Sequence, residues 1–280
     1  MRGKTKRQMA DIPVGGLSPL DHAVSIQSSD TMKIVKDAIS HGQTMLAFQP
    51  VMRSGSRDTI GFYEGLIRVL DPTGRVVPAR EFMGRIEDTE TGREIDVLAL
   101  RHGLRSLKAN PKLRLSINMS ARSIGYRPWM GCLNRFLRET PQIGERLILE
   151  ITESSAMMVP ELVIDFIQRL QPKGICFALD DFGSGQMAIK YFSEFDFDIV
   201  KIDGRFIRGL SGSPDQQAIT RALNAVAREF GMLTIAESIE NEQDANLATQ
   251  IGIDCLQGYY FAAPTTQPEW LIDKNSKKRA

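Results

Sequence analysis

Two adjacent carboxylates, Asp180 and Asp181, end a short apolar run that starts at Ile175. A glycine-rich turn over residues 182–185 follows them. Adjacent aspartate side chains repel each other unless each has a cation nearby. Divalent ions such as Mg²⁺ supply that charge and prefer carboxylate oxygens as ligands. The pair is therefore a candidate metal site, although a strand end with two solvated aspartates explains this stretch equally well.

The same pattern recurs in other strand-like segments, which contain or end in an oxygen-bearing side chain. These side chains belong to Glu64, Asn118, Glu150, Glu153, Glu237, Glu240 and Gln257. One such residue is weak evidence, because charged residues often close a strand where it reaches the surface. In a parallel barrel all strand carboxyl ends open onto one face, so residues far apart in sequence converge there. The recurrence predicts a polar site at that face.

A lysine stands in the middle of another apolar run, where Val200 and Ile202 flank Lys201. A lysine that points inward needs a carboxylate partner, and it can position an attacking water or help to deprotonate it. The competing interpretation is a lysine that extends past the barrel rim into solvent. Arg68 lies four residues after Glu64, so strand alternation sends both to the same face, where the arginine would bind a phosphate.

The predicted ligand set contains five carboxylates and one amide, all of them oxygen donors. It comprises Glu64, Asn118, Glu150, Asp180, Asp181 and Glu237. Such a set suits two ions about 3.5–4 Å apart, which activate water and stabilise the attacking and leaving oxygens in phosphoryl transfer. These residue types therefore favour metal-assisted attack of water on a phosphate ester.

Composition argues against several other classes of protein. The 280 residues are 42% hydrophobic and 25% charged, as in a globular chain, and one α/β barrel of about 250 residues accounts for them. The net charge of +1 gives no general drive toward a DNA or RNA polymer or a membrane surface. Three widely spaced cysteines disfavour a disulfide framework and structural zinc, and they favour a reducing cytoplasm. Three scattered histidines disfavour histidine-based metal chemistry.

The chain divides into one folded domain and two tails. Residues 1–29 start with a basic stretch and lack apolar periodicity, so we expect a disordered N-terminal tail. The folded domain is expected over residues 30–270, and a short basic tail over residues 271–280. No apolar run nears the roughly 20 residues needed to span a bilayer, so membrane insertion is not expected.

The folded domain alternates predicted strands with predicted helices. Strands are predicted over residues 45–51, 58–68, 113–118, 146–152, 175–180, 198–203, 232–237 and 254–260. Helices are predicted over residues 79–88, 93–108, 127–139, 159–171, 185–193, 214–230 and 241–251, after a first helix that Gly42 ends. A short turn over residues 53–57 makes the first two strands antiparallel, and the later crossovers are long enough to connect parallel strands through helices.

Eight strands in this order favour an α/β fold, namely a TIM-like (β/α)8 barrel with its first strand antiparallel. An open doubly wound sheet is the alternative. It is disfavoured because no GxGxxG turn follows any predicted strand.

Eight short motifs occur in order between residue 31 and about residue 265. They are Phe48–Val51, the signature Glu64-Gly65-Leu66 with Arg68, Ser116–Ser120, Leu149–Glu153, Asp180–Gly183, Lys201–Asp203, Ala236–Glu240 and Gln257–Tyr259. This series resembles the EAL-domain cyclic di-GMP phosphodiesterase family, and so many ordered matches are highly specific. The resemblance implies hydrolysis of one phosphodiester of cyclic di-GMP to give linear pGpG, in bacterial second-messenger signalling.

The resemblance also implies a role for each site residue. One Mg²⁺ or Mn²⁺ ion would be held by Glu64, Asn118, Glu150 and Asp180, and a second by Asp180, Asp181 and Glu237. Lys201 would contact the attacking water, and Glu153 would anchor the loop after the aspartate pair. The water and substrate side would be supported by Gln49, Arg68, Glu240 and Gln257. A homodimer is also in keeping with the family.

Three departures from the family pattern bear on these expectations. Gly65 stands where the family usually has alanine, which keeps the neighbouring ligand but loosens its strand. Ser238 replaces a glycine between the two late glutamates. Gln186-Met187-Ala188 replaces an aromatic residue and two serines in the loop that couples dimerisation to metal and substrate binding. A cyclic di-GMP receptor or regulatory module with little turnover is therefore the alternative to an active enzyme.

Overall fold

The computed structural model describes residues 31–56, 58–185 and 191–271. The predicted N-terminal tail, most of the predicted C-terminal tail and the altered loop residues 186–188 lie outside these ranges. Among the described residues, no helix combines the length and the apolar character that crossing a bilayer requires.

Eight strands close into a barrel, as the sequence predicts. The strands of the chain are β1 (Thr44–Arg53), β2 (Ile60–Leu70), β3 (Val76–Pro78), β4 (Leu115–Asn118), β5 (Leu147–Thr152), β6 (Cys176–Phe182), β7 (Ile199–Ile202), β8 (Leu233–Ala236) and β9 (Cys255–Leu256). Their order is β1-β9-β8-β7-β6-β5-β4-β2-β3, and pairing of β1 with β2 closes the ring. Strand β1 is antiparallel to both of its neighbours, whereas β2 and β4 to β9 are parallel. The prediction of a barrel with an antiparallel first strand is confirmed.

Helices surround the barrel and connect most of its parallel strands. They are α1 (31–40), α2 (Met83–Ile86), α3 (Glu90–Ala109), α4 (Arg127–Glu139), α5 (Glu153–Met158), α6 (Pro160–Leu170), α7 (Phe192–Phe195), α8 (Gly204–Ile207), α9 (Pro214–Glu229) and α10 (Glu242–Ile251). The main core lies between these helices and the outer faces of the strands. There, for example, the ring of Phe166 packs against Trp129 of α4 and Phe177 of β6, at 5.7 Å in each case.

The structure differs from the predicted elements in several places. The strand predicted over residues 254–260 ends at Leu256, and the backbone of Gly258 then packs directly against the backbone of Ile239. The helix predicted over residues 79–88 is a 3-10 turn followed by the single turn α2. Three of the named strands and helices were not predicted at all, namely the short strand β3, the single-turn helix α8 and helix α5. Thr152 caps α5 by accepting a hydrogen bond from Ser155 N.

The interior of the barrel contains a second, separate apolar cluster. It consists of Val51, Phe62, Ile148, Ala178, Ile199 and Ile235, with the partly buried Cys176 and Cys255 packed against it. Each of these side chains comes from a barrel strand and points to the axis. The cluster fills the end of the barrel that lies opposite the carboxyl ends of the parallel strands.

Gly65 has a packing role that the sequence did not indicate. A Cβ atom at this position would lie 2.7 Å from Ile117 Cδ1, and a Cβ at Gly103 would lie at the same distance from that atom. The side chain of Ile117 therefore occupies space that both glycines leave open. Instead of only loosening β2, Gly65 lets β2, β4 and helix α3 pack closely.

Candidate active site

The predicted polar residues come together at the carboxyl ends of the parallel strands. Period-two alternation does not account for Asp181, where a left-handed backbone (φ 55°) and a register shift after Leu179 interrupt the regular strand. The contributing residues are Glu64 of β2, Asn118 of β4, Glu150 of β5, Asp180 and Asp181 of β6, Lys201 of β7, Glu237 after β8 and Gln257 after β9. All eight residues lie on or directly after seven strands that run in the same direction, so they meet at one mouth of the barrel.

Lys201 lies at the centre of this mouth and is 1% exposed. Its Nζ atom is 2.8 Å from both Glu150 Oε2 and Glu237 Oε1. It is 3.3 Å from Asp180 Oδ1 and 3.5 Å from Glu64 Oε2. The side chain therefore points inward, and the interpretation of a lysine extending into solvent is wrong.

The pKa values in this cluster reflect four acids around one ammonium. Burial alone would lower the pKa of Lys201, but the carboxylates of Asp180, Glu150 and Glu237 raise it well above its usual value. Burial raises the pKa of Glu150 to about 8 and, with the charge of Asp180, raises that of Glu237 well above its usual value. Negative charge is thus in excess at the mouth, which favours a further cation.

Glu64 behaves differently from the other acids of the cluster. Burial would raise its pKa, but the Lys201 ammonium and the hydrogen bonds from Gln257 and Asn118 outweigh burial and lower it. Gln257 Nε2 donates to Glu64 Oε2 at 2.6 Å, and Asn118 Nδ2 donates to Glu64 Oε1 at 2.8 Å. Gln257 Nε2 also lies 3.3 Å from Gln49 Oε1, so the two glutamines form one network that holds the Glu64 carboxylate.

The arrangement of oxygen donors suits divalent metal. Oxygens of Asp180, Asp181 and Glu237 lie within 4.8 Å of one another. Glu150 Oε1 is buried and, among the described residues, has no hydrogen-bond partner. Burial and the charges of Asp180 and Asp203 outweigh Lys201 and Arg205 and raise the pKa of Asp181 to about 6, so a further cation is favoured beside it. The donor set therefore fits Mg²⁺ or Mn²⁺ better than any softer metal.

The remaining predicted residues lie around this cluster. Glu153 is buried and its Oε2 accepts from Gly183 N at 2.9 Å, so it holds the start of the loop after the aspartate pair. Arg68 is half-buried, and its Nη1 donates to the carbonyl of Ile67 at 2.9 Å. Glu240 is not part of the buried cluster, because its side chain is 57% exposed at the rim.

Two cavities adjoin the site, and some of the residues that line them were not predicted from the sequence. One, of about 440 Å³, reaches from Leu66 and Asn118 to the buried Asp96 of α3. The other, of about 240 Å³, brings Arg208 and Tyr259 beside Glu64 and Glu237. Arg208 follows β7 by only six residues, so its position after a strand carboxyl end was a signal that could have identified it.

A sequence model of the EAL domain matches residues 32–264. The chain is 30% identical over 238 residues to the cyclic di-GMP phosphodiesterase PdeB of Shewanella oneidensis, covering 82% of this chain and 27% of that protein. It is 30% identical over 253 residues to the cyclic di-GMP phosphodiesterase PdeF of Escherichia coli, covering 86% of this chain and 32% of that protein. The chain thus spans about a third or less of the length of these curated relatives.

Solved structures share the fold. The FimX EAL domain from Pseudomonas aeruginosa bound to c-di-GMP superposes with a TM-score of 0.75 at 26% identity, covering 85% of this chain and 97% of that one. The PaMucR phosphodiesterase in its c-di-GMP complex superposes with a TM-score of 0.77 at 24% identity, covering 86% and 98%. The family match extends over most of the sequence and includes every strand of the barrel, so the chain belongs to the EAL domain family.

Proposed function

We propose that this chain is a metal-dependent phosphodiesterase that hydrolyses cyclic di-GMP to linear pGpG. The observation that carries the proposal is the buried Lys201 ammonium, which four carboxylates surround beside the Asp180, Asp181 and Glu237 cluster. Relatives that are 27–30% identical in sequence are named cyclic di-GMP phosphodiesterases. A site rich in acids and walled by strand ends is suited to an anionic substrate only when cations neutralise it.

Two ions of Mg²⁺ or Mn²⁺ are the proposed cofactors. Their proposed ligands are Glu64, Asn118, Glu150 and Asp180 for one ion, and Asp180, Asp181 and Glu237 for the other. When bound, such ions supply positive charge that activates water and stabilises the attacking and leaving oxygens.

The chain's own residues position the reactants. Lys201 Nζ holds the attacking water by a hydrogen bond, and the carboxylates around it keep it charged and in place. The water oxygen forms a bond to phosphorus while the bond from phosphorus to the ribose O3′ breaks, and O3′ takes up a proton, which leaves pGpG with a 5′-phosphate. Arg68 binds a phosphate oxygen, Gln49 and Gln257 support the substrate side, and Glu153 holds the loop after Asp181. Glu240, at the rim of the site, supports the water and substrate side.

The proposal extends to the assembly and the location of the protein. A homodimer is proposed from the family resemblance alone. The three cysteines of the chain are free, which suits a reducing cytoplasm, and this is the proposed location.

The decisive experiment measures turnover and binding of cyclic di-GMP on one preparation. Mg²⁺ or Mn²⁺ should yield pGpG, and Ca²⁺ should support less, because its longer and looser coordination misfits a tight two-ion site. Glu64→Ala should abolish turnover and retain part of the binding, whereas Arg68→Ala should weaken affinity more than the rate of the bound state. Tight binding without product from either activating ion would instead support the receptor, and Glu64→Ala with wild-type turnover would show that the site is misplaced.

A further inference from the structure

The cavity of about 240 Å³ beside the cluster is walled mostly by acids and uncharged groups. Its lining comprises Gln49, Glu64, Leu66, Arg208, Glu237, Ser238, Glu240, Gln257, Gly258 and Tyr259. Arg208 is the one cation among these described residues. An anionic ligand that entered the cavity would meet three carboxylates, and the guanidinium is the group of this lining that offers it positive charge.

The guanidinium of Arg208 is oriented but not fully occupied. Its Nη2 donates to Ser238 Oγ at 3.1 Å, and its Nε is 3.6 Å from Glu240 Oε1. Arg208 and Glu240 are each 57% exposed, so their ion pair is long and open to solvent. A guanidinium carries five N–H donors, and these two contacts leave others able to reach a ligand.

Ser238 adopts a conformation that its residue type disfavours. Its φ angle is +57°, in the left-handed region that glycine occupies more readily. The hydroxyl also fits only because residue 204 is glycine, since a Cβ atom there would clash with Ser238 Oγ. The hydroxyl is therefore accommodated at a backbone position suited to glycine, and its side-chain contact is with Arg208.

We infer that Arg208 binds a phosphodiester oxygen of the substrate and that Ser238 is the residue that positions it. The inference rests on the proposed function, because it assigns a second phosphate contact to the same site. The planar fork of arginine matches two phosphate oxygens. The cavity shares Glu64, Glu237 and Gln257 with the buried cluster, so a phosphate held there lies beside the reacting group.

The experiment compares three variants by KM, kcat and the Kd for cyclic di-GMP, the last measured by calorimetry with Ca²⁺. Arg208→Gln should raise KM and Kd about tenfold and change kcat less than about twofold. Ser238→Gly relieves the backbone conformation and removes the hydroxyl, so it should raise KM about threefold without lowering thermal stability. Arg169→Gln is the matched control, because Arg169 is 56% exposed and pairs with Asp165 on α6, and it should leave all three constants unchanged.

Several outcomes would overturn the inference. Arg208→Gln with wild-type KM and Kd, or with a changed melting temperature alone, would make the arginine a structural residue. A loss for cyclic di-GMP that greatly exceeds the loss for cyclic di-AMP would show that Arg208 contacts the base instead of the phosphate. If the wild type binds but does not turn over, the proposed function fails while the Kd values still decide the role of Arg208; if it does not bind, both fail.

Discussion

The barrel interior has two layers of opposite chemistry, and most parallel strands contribute one residue to each. In the lower layer these are Phe62, Ile148, Ala178, Ile199 and Ile235, and two residues later the same strands place Glu64, Glu150, Asp180, Lys201 and Glu237 in the upper layer. The lower layer stabilises the fold by excluding water from apolar surface. The upper layer concentrates charge, which opposes burial. The apolar side chains that stabilise the fold and the charged side chains of the site are thus only two residues apart on each of these strands.

Strand β1 shows that strand direction decides the layer. It runs antiparallel to its neighbours, and in it the polar residue comes first, with Gln49 in the upper layer and Val51 in the lower one. The order is reversed relative to Phe62 and Glu64 on the paired strand β2. The two layers are therefore defined by the barrel and not by any local sequence pattern.

The largest expected effect follows from removing the single cation of the upper layer. Lys201→Ala should reduce turnover of cyclic di-GMP by roughly 10²–10⁴-fold, the range typical of a positioned acid–base group. Binding of metal and substrate should largely persist, because lysine is not a predicted metal ligand. Single-turnover kinetics with a separate binding measurement test both parts.

A matched substitution distinguishes charge from chemistry at the same position. Lys201→Arg keeps the positive charge but should not restore turnover, because the larger, planar guanidinium cannot take the place of the compact ammonium among the four carboxylates and hold the water there. Substantial turnover in Lys201→Ala would place the lysine outside the mechanism and remove the functional difference between the two layers.

The next largest effect lies in the lower layer of the same strand. Ile199 is 6% exposed, and Ile199→Ala should destabilise the fold by about 2–5 kcal/mol, through lost burial and the cavity left behind. Its kcat should stay near the wild-type value at a temperature where the variant is folded. Denaturant unfolding and kinetics on one preparation compare the free energy of unfolding with kcat. A large loss of kcat in folded Ile199→Ala would show that the two layers are coupled.

Sequence reasoning predicted this two-layer arrangement only in part. The polar residues at strand ends and the apolar runs before them were visible, because the period of two is a local property of a strand. The close packing of Ile117 between Gly65 and Gly103 was not visible, because it joins β2, β4 and α3. The contact of Arg208 with Ser238 joins residues 30 positions apart for the same reason. What the sequence failed to show depends on which surfaces the closed barrel brings together.

A buried acid outside the barrel provides a comparison with the upper layer, because its pKa is set by burial and two hydrogen bonds and not by an ammonium of the described residues. Asp96 of α3 accepts from Ser123 Oγ at 2.6 Å and from Ser120 N at 3.0 Å, yet burial raises its pKa from 3.8 to about 6. The folded state binds this proton more tightly than the unfolded chain does, so its contribution to stability is greatest below pH 4 and declines as pH rises through 6. The shift corresponds to about 3 kcal/mol at most.

Asp96→Asn should remove that pH dependence, because an amide oxygen can accept the same two hydrogen bonds without charge. The free energy of unfolding at pH 8 should rise by up to about 3 kcal/mol relative to the wild type, and the difference should shrink toward pH 4. Asp244 is the control of opposite sign: burial alone would raise its pKa, but hydrogen bonds from Ser211, Asn241 and Gly209 lower it. Asp244→Asn should therefore destabilise at pH 8, and parallel pH profiles for wild type and Asp96→Asn would contradict the assignment.

The smallest expected effect concerns a polar residue in the lower layer. Ser116 precedes Asn118 by two residues on β4, is fully buried, and its Oγ has no hydrogen-bond partner among the described residues. Ser116→Ala removes a desolvated hydroxyl without opening a large space, so stability should be unchanged or rise by up to about 1 kcal/mol. Thr234 is the contrast, since its buried Oγ1 donates to Asn224 Oδ1 at 2.9 Å, and Thr234→Val should cost about 1–3 kcal/mol. Denaturant midpoints of both variants test this prediction. A clear loss of stability in Ser116→Ala would mean that the hydroxyl has a hydrogen-bond partner and that the lower layer contains a polar contact of its own.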